Sequence, residues 1–176
     1  AADEYEKECI NQVGANWDTG VDGEEGKNRL LGYRYATVRY KSIDHTGKDV
    51  MLSTLVVWPY NNILSDPEAN NIIIGCHITI TSNAERPSNY SKQDITTDVG
   101  MLACAAKSNE LRSGYENLVI IPDYQGYGAT HGEVHPYLSQ DITARQVLDG
   151  VRAGKAFYEK HLKHKLKDDW RSISTG

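Results

Sequence analysis

The stretch that decides the fold of this 176-residue chain is Val119-Ile120-Ile121-Pro122-Asp123-Tyr124-Gln125-Gly126-Tyr127-Gly128-Ala129-Thr130. It opens with an uninterrupted apolar run, which is typical of a strand buried on both faces of a sheet. Pro122 ends that run, and two glycines follow it closely. Because glycine adopts positive φ and lets backbones approach one another, the stretch predicts a central strand that leaves the sheet in a tight turn over a pocket.

Further strands are predicted on both sides of this stretch. Residues 30–42 and 50–58 are rich in aromatic and β-branched side chains, and the turn cluster 44–48 joins them into an antiparallel hairpin. Residues 71–76 (Asn-Ile-Ile-Ile-Gly-Cys) form another run that is apolar on both faces, and residues 171–175 begin one more strand.

Two helices separate the strands. Thr97 is placed to cap a helix that begins at Asp98, with Gly114 beyond its end, and Ser139 is placed to cap a second helix. Apolar residues recur at helical spacing in both: Met101, Leu102, Ala105 and Ala106 in the first, and Ala144, Val147, Leu148, Val151, Gly154, Tyr158 and Leu162 in the second. The order predicts an α/β fold: a mostly parallel sheet with an N-terminal antiparallel hairpin.

The N-terminal part differs in composition from the rest. Residues 3–13 are predicted to form a short helix, and residues 14–28, rich in Gly, Asp and Glu, an irregular segment. The length of the chain suits one domain. We therefore predict an N-terminal lead-in over residues 1–28 and the N-terminal half of a larger domain over residues 29–176.

Composition and charge exclude several classes of protein. Hydrophobic residues make up 39% and charged residues 24%, which is ordinary for a globular domain. The net charge of −5 offers no basic surface, so no nucleic-acid partner is expected. No apolar run approaches the roughly 18 residues of a membrane span. The chain begins at Ala1 without Met, which suggests a processed terminus and a secreted, cell-envelope or periplasmic location.

No metal or other cofactor is expected. Cys9, Cys76 and Cys104 lack metal-ligand spacing and are interpreted as small buried apolar residues. His131 and His135 lie four apart, but the intervening glycine and the following proline argue against the helix that a zinc motif needs.

The segment 119–130 resembles the one after the fourth strand of α/β-hydrolases, where Asp-Tyr-Arg-Gly-x-Gly-x-Ser is common. Gln125 replaces the Arg and Thr130 the Ser. A generic glycine turn is the alternative, but the order of strands and helices over residues 29–176 also matches. The pattern is most similar to secreted lipase-like or esterase-like members. The resemblance implies that the five strands lie in the order 1-2-4-3-5.

A second part of the resemblance lies after residues 71–76. In α/β-hydrolases the third strand ends in a turn, often His-Gly, that supplies a backbone N–H to the oxyanion hole. His77 falls at that place and Ile78 replaces the Gly. The resemblance implies that the backbone N–H of Ile78 or Thr79 is the oxyanion donor, with pocket walls over residues 79–97 and 124–136. We interpret the His77 ring itself as bonding a neighbouring loop.

The catalytic triad implied by the resemblance lies outside this chain. In the family the nucleophile elbow, Gly-x-Ser-x-Gly, follows the fifth strand, and the acid and His come later. Gly176 would open that elbow. We therefore expect an N-terminal portion of a serine hydrolase that acts on a small-molecule ester, is inactive alone, and associates with its C-terminal half or with itself through the exposed sheet edge.

Two alternatives belong to other classes of protein. A non-catalytic binding or scaffold protein can use the same sheet, because a fold does not imply a function. A nucleotide-binding domain is disfavoured because Gly126 and Gly128 lack the third glycine of G-x-G-x-x-G.

Overall fold

The computed structural model describes residues 12–18, 31–61, 68–90, 97–106 and 116–176. The secondary structure comprises strands β1 (Gln12–Asp18), β2 (Leu31–Ile43), β3 (Asp49–Asn61), β4 (Asn71–Gly75), β5 (Asn117–Pro122) and β6 (Ser172–Thr175), and helices α1 (Asp98–Cys104) and α2 (Gln140–Ala156). A single π-helical turn, Phe157–His161, continues α2.

The strands form one sheet in the order β1-β2-β3-β5-β4-β6. The predicted order of the hairpin and the three later strands is therefore confirmed. The sheet is mixed rather than mostly parallel, because β1–β2, β2–β3 and β3–β5 are antiparallel whereas β5–β4 and β4–β6 are parallel. The prediction underestimated the antiparallel part because the hairpin also meets β5 in an antiparallel pair and gains β1 on its outer edge.

Strand β1 was not predicted. Its residues fell across the end of the predicted helix 3–13 and the start of the predicted irregular segment 14–28. Pairing along β2, from Gln12↔Thr37 to Asp18↔Leu31, makes this segment a strand. Strand preference depends strongly on the neighbouring strand, which local composition does not reveal. Residues 3–11 and 19–30 lie outside the described part, and the division at residues 28 and 29 stays a prediction.

The sheet buries side chains on both faces. On one face Tyr40, Val56, Ile72 and Ile120 pack with Phe157, at the end of α2. On the other face a second cluster consists of Tyr33, Tyr35, Leu55, Val57, Tyr90, Ala103, Ala106, Val119 and Ile121. The central strands β4 and β5 are adjacent and parallel, as predicted for residues 71–76 and 118–121. The expected near-complete burial holds for β5, whereas Asn71, Ile73 and Cys76 are only partly buried.

The helices differ in how well they match their predicted patterns. The Thr97 side chain caps α1 by accepting from the Gly100 N–H at 3.1 Å, whereas Ser139 makes no side-chain cap on α2. The predicted apolar stripe of α2 is partly wrong. Ala144 and Leu148 are exposed, and polar Gln146 and Asp149 are buried instead. The reason is tertiary, since both polar side chains have partners on other elements.

Gly114, the predicted helix end, and Cys9 lie outside the described residues. Cys76 is partly buried, as predicted, but Cys104 is exposed, which corrects the interpretation of that cysteine as a buried apolar residue. Among the residues that the structure describes, no helix has both the length and the apolar character to cross a membrane.

Candidate active site

The candidate site lies where β4 and β5 end. These strands are parallel neighbours, so the segments that follow them, residues 76–80 and 123–137, emerge side by side at one edge of the sheet. Ligand sites of open α/β sheets form in the crevice outside the carboxyl ends of their strands. Here a pocket of about 300 Å³ extends from His77–Ile80 to residues 84–86, 89–90 and 97–99. A smaller cleft of about 90 Å³ adjoins it.

The turn after β5 is anchored by Asp123, which is fully buried. One carboxylate oxygen of Asp123 accepts the Ser88 backbone N–H at 2.7 Å, and the other accepts the Ser53 hydroxyl. The Ser53 oxygen in turn accepts the Ala129 N–H at 2.9 Å, and the Asn83 side chain accepts the Gly128 N–H at 2.9 Å. Burial raises the pKa of Asp123, while these hydrogen bonds and the charge of Arg86 oppose the rise.

The two glycines of the turn are required by its geometry. Gly126 has φ +95° and Gly128 has φ +57°. A Cβ on Gly128 would overlap the Asp123 carboxylate and the Ser53 hydroxyl, and one on Gly126 would lie 2.9 Å from Cβ of His135. Tyr124 also has positive φ, at 63°, which is unusual for a side chain of its size. The Gly-x-Gly pattern therefore marks a tight turn that packs closely against its neighbours, and the sequence predicted a tight turn here.

Gln125, which stands where the family has Arg, joins the turn to α2. Its side-chain oxygen accepts from Gln146 at 2.9 Å, and its amide donates to Glu133 at 3.1 Å. Gln146 also donates to the Ile43 carbonyl at 3.0 Å. Ser53, Ser88 and Gln146 support the turn but were not predicted to do so, because nothing in the local sequence marks a Ser or Gln as the partner of a distant loop.

His77 faces the turn, as interpreted from the sequence. Its ring stacks on Tyr124 with centroids 4.2 Å apart. Nδ1 lies 2.7 Å from the Ile78 carbonyl oxygen and Nε2 lies 3.3 Å from the Asp123 carbonyl oxygen. Both neighbours are backbone acceptors, so the ring links the ends of β4 and β5 and has no acid partner among these contacts.

Ile78 and Thr79 line both pockets. The Ile78 side chain is 62% exposed, and the Thr79 hydroxyl lies 3.3 Å from the Tyr137 hydroxyl. Among the described residues, neither backbone N–H makes a hydrogen bond. Their role as oxyanion donors stays a prediction.

Aromatic side chains wall the smaller cleft: Tyr124, Tyr127, His135 and Tyr137. The Tyr127 hydroxyl donates to the Ile80 carbonyl at 2.7 Å, and His135 Nδ1 lies 2.7 Å from the Gln125 carbonyl oxygen. Burial raises the pKa of the Tyr124 hydroxyl. In the described ranges, His, Cys, Asp and Glu side chains form no group that could hold a metal ion.

Comparisons with known proteins show which solved structures share the fold of this chain, but they do not assign the chain to a family. No family model and no curated protein matches the chain. The rice cell wall degrading esterase LipA from Xanthomonas oryzae is similar in structure, with a TM-score of 0.67 and 18% identity over 99% of this chain and 42% of LipA. A putative hydrolase from Legionella pneumophila has a TM-score of 0.64 and 17% identity over 94% of this chain and 43% of its own. The chain thus spans about two fifths of these structures.

Proposed function

We propose that this chain, whose fold is the one found in part of an α/β-hydrolase-type esterase, is the N-terminal portion of a serine hydrolase that cleaves an ester or similar acyl bond. The observation that carries the proposal is the position of the Ile78 and Thr79 amides. They lie at the carboxyl end of β4, beside the pocket of about 300 Å³, and have no partner among the described residues.

The proposed role of these amides is to stabilise negative charge during acyl transfer. When a nucleophile adds to an ester carbonyl, charge collects on the carbonyl oxygen, and fixed N–H donors lower the energy of that state. The two residues before Ile78 and Thr79 are anchored: the Cys76 backbone N–H donates a hydrogen bond to the Thr175 carbonyl, and the His77 ring stacks on Tyr124. A donor that is fixed before the reaction needs no reorganisation when the charge develops.

The nucleophile is proposed to follow β6 in the parent protein. Strand β6 runs parallel to β4 with Gly75 opposite Thr175, so its carboxyl end points toward the same edge of the sheet. Gly176 lies against Cys76, directly before the proposed oxyanion donors. A serine on a turn after β6 would therefore approach the pocket. This chain by itself is proposed to lack a catalytic triad and to be inactive.

The proposed substrate is a small-molecule ester whose acyl or alcohol part lies on the aromatic wall. Val134, Tyr137 and Leu138 expose large apolar surface on the loop beside that wall. Apolar lining with a few fixed polar groups is the usual make-up of a small-molecule site. A secreted or cell-envelope location remains a proposal that a signal sequence in the parent reading frame would support.

Two measurements test the hydrolase proposal. The chain alone should neither hydrolyse a p-nitrophenyl ester above background nor react with a fluorophosphonate probe. The protein from the complete reading frame should do both, with the labelled serine in an x-Ser-x-Gly sequence after residue 176. Stoichiometric labelling of a serine within the chain, or no labelling of the complete protein, would contradict the proposal and favour a non-catalytic binding protein.

The oxyanion donors are tested in the complete protein by deleting one N–H at a time. Ile78→Pro and Thr79→Pro remove a donor, and Ile78→Ala and Thr79→Ala keep it as matched controls. We expect at least one Pro variant to lower kcat by about 10²–10³, with the Ala variants within several-fold of wild type. Circular dichroism and thermal unfolding check that each variant is folded. Unchanged kcat in both Pro variants would exclude these amides.

Association through the sheet edge is the remaining part of the proposal. Strand β6 is the outer strand on its side of the described sheet, and its four residues are all exposed. Ile173 is 57% exposed there. An edge of this kind can pair with another chain. Light scattering at micromolar concentration should show a dimer or higher species, or a complex with a separately supplied C-terminal half. A monodisperse monomer in both samples would contradict association through β6.

A further inference from the structure

A third pocket, of about 310 Å³, lies on the face of the sheet that turns away from α2. Thr37 and Arg39 of β2 point to this face because they alternate with Val38 and Tyr40, which pack toward α2. We call it the arginine pocket. Its lining residues are Thr37, Arg39, Ser53, Arg86, Ser88, Gly128 and Ala129. The lining thus holds two guanidinium groups and no carboxylate.

Arg39 is the unusual member of this pocket. Its Nε atom is buried and makes no hydrogen bond to any described residue, although Arg39 as a whole is half-buried. Within the described part of the chain, Arg39 also forms no ion pair. A buried N–H donor without an acceptor is unfavourable, and such donors are normally paired in folded proteins. The missing acceptor points to a group that enters the pocket from outside.

Arg86 is held beside the pocket in a fixed orientation. Its Nη1 donates to the Asn83 carbonyl at 2.7 Å, and its Nε lies 3.2 Å from the Ser88 hydroxyl oxygen. A guanidinium has five N–H donors, so these two bonds leave others available. The planar group is therefore positioned by the protein itself before any ligand binds.

Asp123, the carboxylate next to the pocket, does not accept a hydrogen bond from Arg39. Asp123 lies below Ser53 and Ser88, and it is fully buried. One of its oxygens accepts the Ser88 N–H and the other accepts the Ser53 hydroxyl. Asp123 makes no hydrogen bond or ion pair with Arg39.

We propose that the arginine pocket binds a small oxyanion, namely the phosphate or carboxylate group of a ligand, through Arg39 and Arg86. Guanidinium groups match both kinds of oxyanion because their N–H donors form parallel pairs of hydrogen bonds. The inference does not depend on the proposed hydrolase activity. Arg86 also lines the candidate active-site pocket, so the two sites adjoin.

Titrations of the isotope-labelled chain with inorganic phosphate and, separately, with acetate test this site at constant ionic strength. Heteronuclear NMR locates the response and calorimetry measures affinity. The test variant is Arg39→Gln, and the control is Lys41→Gln, which removes an exposed charge two residues away on the same strand face without lining the pocket.

Saturable phosphate binding with shifts at Thr37, Ser53 and Gly128 is the expected result. Arg39→Gln should weaken it about tenfold or more, and Lys41→Gln by no more than about twofold. A response to phosphate but not acetate identifies a phosphate site, whereas a response to both shows that a carboxylate also fits. No saturable binding of either anion, or equal loss in both variants, would overturn the proposal.

Stability without added anion provides an independent check. Because Arg39 has no partner among the described residues, Arg39→Gln should be at least as stable as wild type toward urea in phosphate-free buffer. A marked loss of stability would mean that Arg39 already has a structural acceptor, which would also overturn the proposal.

Discussion

Replacing Gly128 with alanine tests how closely the turn after β5 packs on Asp123 and Ser53. Gly128 has φ +57°, and an alanine in this left-handed region costs about 1–2 kcal/mol. Its Cβ would also overlap the Asp123 carboxylate and the Ser53 hydroxyl, which are both buried. Overpacking of a filled interior adds about 1–3 kcal/mol. We therefore expect Gly128→Ala to lower the free energy of unfolding by about 2–5 kcal/mol.

Gly47→Ala is the matched control. Gly47 also has positive φ, at 81°, but a Cβ there would meet no atom within 4 Å. The free energy of unfolding of Gly47→Ala should fall only by the backbone cost of about 1–2 kcal/mol. The difference between the two variants isolates the collision with Asp123 and Ser53.

Urea unfolding followed by circular dichroism measures that difference. With a slope near 2 kcal/mol per molar urea, an excess loss of about 1–3 kcal/mol lowers the midpoint of Gly128→Ala by about 0.5–1.5 M relative to Gly47→Ala. Equal midpoints in the two variants would refute the argument, because the Asp123 carboxylate would then not lie beneath the turn.

Three further predictions concern the interior. Burial raises the pKa of Asp123 above its ordinary value of 3.8, so its contribution to stability falls as pH rises through that raised pKa. Asp123→Asn should therefore gain stability relative to wild type as the pH of urea titrations rises above 3.8, and a constant difference would contradict this. Tyr40→Phe should cost about 0.5–1.5 kcal/mol, because the hydroxyl donates to the buried Gln146 carbonyl at 3.0 Å; thermal unfolding unchanged from wild type would exclude that bond. The amides of β4 and β5 should be among the slowest to exchange with deuterium, and exchange as fast as in the loops would contradict their central place.

Several features of the fold and site could be predicted from the sequence because their signals are local. After an initial Asn, β4 and β5 each consist of a short, continuous apolar run, which is typical of strands at the centre of a sheet. Thr97 caps α1 through an N–H only three residues away. The position of Ile78 and Thr79 follows from their place directly after such a strand, since parallel strands end at a common edge.

Other features depended on tertiary contacts that no local pattern records. Strand β1 exists because the edge of β2 is available for pairing. The polar residues on the buried face of α2 are stabilised by distant partners, as Ser42 donates to Asp149 at 2.9 Å across 107 positions of the chain. A pattern of apolar residues alone therefore misplaced that face.

The arginine pocket and the hydrogen bonds of Asp123 separate what the local sequence determined from what the tertiary structure decided. By itself the sequence determined that a glycine turn follows a buried strand, because φ preferences and hydrophobic runs act over a few residues. Only the tertiary structure decided what the turn contacts: Ser53 lies 70 residues before Asp123, and the pairing of β2 with β3 sets Arg39 opposite Ser53, in the pocket that Arg86 also lines. The choice of partner for a buried charge depends on which groups the folded chain brings within reach, and that is a property of the whole sheet.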